Sequence, residues 1–110
     1  MSYQHKDLAA GRWAQLSLAE RMAHIGGEVE HALKWREKNN ADYSRMAFER
    51  ALELIDLSLE YPHKHTHLKE IARLREALVD YFSGTNEFKS TESSWRSYFS
   101  PFMYAARGKS

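Results

Sequence analysis

The chain contains no cysteine. Disulfides, thiolate metal sites and cysteine nucleophiles are therefore excluded. It also lacks long apolar runs. Nothing approaches the ~20 residues needed to span a bilayer, and Met1 to Gly11 carry no apolar stretch of signal-peptide length. The expected location is a reducing cytoplasm, with no membrane association. An excess of one charge is missing too. Sixteen Lys and Arg stand against fifteen Asp and Glu, a net charge of +1. That balance argues against dominant phosphate-backbone binding, while leaving room for a local basic patch. No segment alternates as a strand does, and no repeat period is visible. No serine occupies a nucleophile elbow, no glycine-rich loop could cradle phosphates, and no carboxylates pair in a glycosidase-like setting. No catalytic residue or cofactor is implied, and a non-enzymatic role is expected.

What the chain does have is helical periodicity. At 110 residues, 43% of them hydrophobic and 28% charged, it reads as one globular domain that buries roughly two-thirds of its unfolded surface. The strongest stripe lies near the end. Trp95, Tyr98, Phe99, Phe102, Met103 and Ala106 share one face of a helix that starts at Thr91 and runs through Pro101. A tail this apolar must dock, and Pro101 is expected to kink it or restart it.

Three further helices precede the tail. Ser17-Leu18-Ala19-Glu20 fits a capping box, and Leu18, Met22, Ile25, Val29 and Leu33 carry the first helix to about Lys38. Gly26-Gly27 interrupts it, which points to close helix approach or a mild kink rather than a hinge. Asn39-Asn40 turns the chain and caps a second helix over 41–60, stopped by Pro62. Its apolar residues flank a narrow polar strip on both sides, so it should touch more than one neighbour or form half of a dimer seam. Thr66 is the expected cap of the third helix, which ends near Ser83 with Gly84 as its left-handed C′ residue. The predicted fold is all-α, an up-and-down four-helix bundle over 17–110 with a kinked, aromatic-rich C-terminal helix, preceded by a flexible segment over 1–16.

Three sets of residues are candidates for function. Arg36, Arg50 and Arg75 project near the core directions of their helices. Each needs a carboxylate or carbonyl partner, or else lines an anion or nucleotide pocket bounded by Tyr43 and Tyr81. His24, Glu28 and His31 share a face in a pattern used by carboxylate-bridged metal sites. That face points away from Leu18, Ile25 and Val29, which favours a surface stripe ending in Trp35. His63, His65 and His67 alternate in what reads as a solvated turn. Finally, Trp35, Phe48, Leu52 and Leu59 mark apolar edges in excess of what one small bundle can hide. They point to self-association, most simply a homodimer, or to a protein partner.

Two family resemblances bear on these readings. Phe48-x-x-Ala51-Leu52-x-Leu54 followed by Pro62 is similar to part of a tetratricopeptide repeat, but it has no second copy and reads as an ordinary helix. Arg75-x-x-Leu78-Val79-x-Tyr81 resembles the signature of HEPN-like helical proteins, the higher eukaryote and prokaryote nucleotide-binding family. That resemblance implies a dimeric bundle that binds nucleotide or RNA, partnered with a nucleotidyltransferase. Active members are ribonucleases with a histidine a few residues after the arginine. Here Asp80 stands about where that histidine would be, so ribonuclease activity does not follow.

Overall fold

Local sequence signals set most of the helix boundaries. A computed structural model of the chain describes residues 11–60 and 65–108. Its helices are α1 (Trp13–Gln15), α2 (Leu18–Glu37), α3 (Ala41–Glu60), α4 (His65–Ser83) and α5 (Glu92–Arg107). Ser17 opens α2 with both halves of the expected capping box: its hydroxyl accepts from the Glu20 amide at 3.1 Å, and Glu20 accepts from the Ser17 amide at 2.9 Å. Thr91 opens α5 in the same way, with Ser94 in the role that glutamate usually takes. Between α2 and α3, Asn39 adopts a left-handed φ of 60°. Its amide donates to the Arg36 carbonyl and the Asn40 amide to the Trp35 carbonyl, a Schellman ending. Asn40 then caps α3 by accepting from the Tyr43 amide at 3.0 Å.

Two boundaries differ from expectation. α4 begins at His65, so Thr66 lies inside it rather than capping it. At the other end of α4, Gly84 is not left-handed; Asn86 and Lys89 are instead, at φ 57° and 55°. Asp80 takes over the terminating role. Its carboxylate accepts from the Glu87 and Phe88 amides at 2.8 and 3.0 Å, folding the α4–α5 loop back on the helix.

The architecture is an all-α four-helix bundle with α1 as a one-turn addition. α2 packs along both α3 and α5, α4 packs against α3, and α1 also touches α3. The two-sided apolar pattern of α3 is thereby used within one chain. Phe48 is buried and stacks on Phe82 of α4 at 5.0 Å, and Leu52 and Leu59 pack against the core. Of these residues expected at an interface, Phe48 is buried within one chain, while Leu52 and Leu59 are only partly covered.

The tail docks as predicted. Trp95 and Phe99 are buried, with Tyr98, Phe102 and Met103 packed against them. α5 runs as one helix through Pro101, so of the two expected outcomes, a kink or a restart, the restart does not occur. Pro101 is exposed, so its ring and missing amide fall on the solvent side, where the loss of one helix hydrogen bond is best tolerated. Polar contacts reinforce the seat. Arg96 bridges to Glu30 and Glu37 of α2 at 3.0 and 3.5 Å, and the Tyr98 hydroxyl donates to Glu70 of α4 at 2.6 Å.

Gly26 explains how α5 comes so near α2. The helix is continuous there, so the glycines are not a break. A Cβ on Gly26 would lie 2.8 Å from Cγ of Phe99 and 2.9 Å from Cε of Met103, whereas one on Gly27 would meet nothing within 4 Å. Neighbouring glycines therefore call for opposite outcomes. Gly27→Ala should stabilise by about 1 kcal/mol through helix propensity alone. Gly26→Ala gains the same propensity but forces Phe99 outward, and overpacking at roughly 1–3 kcal/mol outweighs it. Urea denaturation of the two variants checks this. A stabilised Gly26→Ala would mean that α5 is not seated on this glycine.

Residues 1–10, most of the segment expected to be flexible, lie outside the described residues. The rest of that segment is ordered into the domain. Trp13 is 0% exposed and its indole Nε1 donates to Ser58 Oγ of α3 at 3.1 Å. The folded unit therefore begins before residue 17.

Candidate functional site

The structure separates the arginines that the sequence grouped. Arg50 reaches from α3 to Glu28 of α2, Nε to Oε1 at 3.1 Å, and Arg75 of α4 pairs with Asp56 of α3 at 2.9 Å. Both are partnered between helices, as carboxylate pairing would have it. Arg36 differs. Its guanidinium lies over the ring of Tyr81 at 4.8 Å and of Phe82 at 5.7 Å. It has no carboxylate at salt-bridge distance among the described residues. With Arg45, Ser44 and the Phe48–Phe82 stack it lines a cavity of about 300 Å³ beside the start of α3. Neither Tyr43 nor Tyr81 lines that cavity, so the expected boundary of the anion pocket is replaced by two phenylalanines.

The buried guanidinium is one that the sequence reading passed over. Arg21 is 2% exposed, donates from Nη2 to the Ala14 carbonyl at 3.2 Å, and lies 6.0 Å from the Trp13 ring. Burial lowers its pKa, yet arginine keeps its charge. It ties α1 to α2. Its position three residues after Leu18 and four before Ile25 was the available signal. What was missing was α1, the element it serves.

The histidine stripe is split. Glu28 Oε1 faces His31 Nδ1 at 3.5 Å while bonded to Arg50, and exposed His24 instead packs its ring 5.7 Å from Trp13. No three His, Asp or Glu side chains converge to hold a metal among the described residues. Of the alternating histidines, His63 falls outside those residues, and His67 belongs to α4.

One outer face gathers side chains suited to recognition. Trp35, at the end of the predicted stripe, meets Tyr43 edge-on at 4.9 Å, with the Lys38 ammonium 5.1 Å from the indole. Tyr43 is 51% exposed, and Met46, one turn further along α3, is 49% exposed. Residues three apart on a helix are surface neighbours, so Trp35, Tyr43 and Met46 form a continuous apolar patch. The Glu28–Arg50 pair and His31 continue the same α2/α3 face one turn on. Of the expected interface residues, Trp35 alone sits here. Met46, not singled out from sequence, joins it because helix rotation turns it outward.

No family model, curated protein or solved structure matches the chain. Among the described residues, no helix is long and apolar enough to cross a membrane.

Proposed function

We propose that the protein is a non-enzymatic helical-bundle module that works by association, most directly as a homodimer formed through the α2/α3 face. The observation that carries this reading is the Trp35–Tyr43–Met46 patch. Two of its three side chains are about half exposed, in a monomer whose other α3 apolar residues are largely covered. Aromatic residues, Met and Arg are the types enriched at protein interfaces, and binding energy concentrates in a few central residues of this kind. A two-fold arrangement would set the same patch against itself.

Light scattering at micromolar concentration tests the proposal. The wild type is expected at twice the chain mass of 12.9 kDa. Met46→Glu should weaken self-association by about a hundredfold, equivalent to roughly 2–3 kcal/mol. Its helical content and cooperative melt should be retained, with the melt falling only by the concentration-dependent stabilisation that association supplies. A wild type that remains a single chain throughout, or a Met46→Glu dimer of unchanged affinity, would overturn it.

A second reading, HEPN-like nucleotide or RNA binding beside a nucleotidyltransferase partner, is favoured by one observation: Arg36 stacked on Tyr81, with Arg45 beside it on the same cavity. Arg75, on which the resemblance rests, is held by Asp56, and Asp80 is bonded into the loop. Thermal-shift screening with nucleotides and short RNAs discriminates the classes. A shift lost in Arg36→Ala but retained in Arg75→Ala would favour binding at this cavity.

A further inference from the structure

α4 and α5 meet chiefly through side chains, and the seam between them opens into a cleft of about 430 Å³. That volume lies within the usual range of small-molecule sites. Leu74 and Ala77 of α4 and the rings of Trp95 and Tyr98 of α5 line it, so its walls accept a flat apolar body. The polar groups are unevenly distributed. Tyr98 donates its proton to Glu70 at 2.6 Å, which turns the carboxylate on the lining toward the phenol. Burial, reinforced by that bond, raises the pKa of Tyr98 and keeps the donor protonated.

Lys69 and Arg73 are exposed residues that also line the cleft, and neither has a carboxylate at salt-bridge distance among the described residues. They stand four residues apart on α4, where like charges repel. An anion between them relieves that repulsion. The Trp95 ring separates this cleft from the groove on the α2 side, and its buried indole N–H has no acceptor among the described residues.

We propose that the α4/α5 cleft binds a small aromatic carboxylate, its ring between Leu74 and Trp95 and its carboxylate held by Lys69 and Arg73. The site is separate from the association face and stands independently of it.

The test is an NMR titration of the full chain with 2-naphthoate, following the Trp95 indole N–H signal, identified by its disappearance in Trp95→Phe. A saturable shift is expected. The neutral 2-naphthylmethanol should bind about tenfold more weakly, and the double variant Lys69→Gln/Arg73→Gln should lose about the same factor for naphthoate. Both substituted residues are exposed, so the double variant should melt as the wild type does. The same titration in Met46→Glu should be unchanged, which keeps this result distinct from the fate of the dimer. No saturable shift would overturn the proposal. So would equal affinity for the acid and the alcohol, or full affinity in the double variant, since either would reduce the cleft to a non-specific apolar surface.

Discussion

A chain ending at Ser90 is expected to lose its cooperative melt and to bind the dye ANS as a loosely packed or aggregating species. α5 contributes Trp95 and Phe99 to the core, and Tyr98, Phe102 and Met103 lean against them. Each large aromatic carries ~150–250 Å² of surface. Truncating one buried aromatic costs ~3–5 kcal/mol. Losing two approaches or exceeds the ~5–15 kcal/mol that holds a domain of this kind together. The loss does not stop at α5. Val29 and Leu33 of α2 line the groove against it and would face water, as would the side of Tyr81 that meets Trp95 at 6.0 Å. Urea denaturation followed by circular dichroism and ANS fluorescence decides the matter. A truncated chain that still melts cooperatively would make α5 a detachable appendage and the domain a three-helix unit.

Trp13→Ala is expected to be the most damaging single substitution outside α5, at ~3–5 kcal/mol. Trp13 is wholly buried, and its indole bond ties the one-turn helix α1 to Ser58 of α3. Ser58 in turn donates to the Leu54 carbonyl at 2.9 Å, so its oxygen is both acceptor and donor in a dry environment. Trp13→Phe separates the two contributions. It keeps most of the ring volume but removes the donor, and the unmet hydroxyl oxygen should cost ~1–3 kcal/mol. Chemical denaturation of both variants gives the comparison. If Trp13→Ala loses less than about 0.5 kcal/mol, a value typical of surface sites, α1 is not part of the core.

The features legible in the sequence are those decided locally. The Ser17 capping box, the Asn39-Asn40 turn and the aromatic stripe of α5 each rest on residues within a turn or two of one another, and each appears where it was expected. Gly26 was legible in kind, as close helix approach, though only the packed structure identifies Phe99 as what fills the space. The one-turn helix α1 was not legible, because so short an element has no period to detect, although Trp13 as a large apolar side chain could be expected to pack back on the bundle. The arginines were ambiguous for a related reason. Arg36, Arg50 and Arg75 have similar helical placements, and what separates them is whether Glu28, Asp56 or an aromatic ring happens to stand opposite. Phe48 was read as interface because its partner, Phe82, is thirty-four positions away in sequence. Lys69 and Arg73 are exposed on α4 and come to line a cleft only through the placement of α5, which no local pattern encodes.

Because the chain has no cysteine, one introduced thiol reports a single position without interference. Met46→Cys puts it in the Trp35–Tyr43–Met46 patch, and Ala72→Cys puts it at an exposed position on α4. Treated with a short bis-maleimide at micromolar concentration, the position-46 variant is expected to link into covalent dimers, while the position-72 variant stays single. Dimers through position 72 alone, or none through position 46, would contradict association through the α2/α3 face.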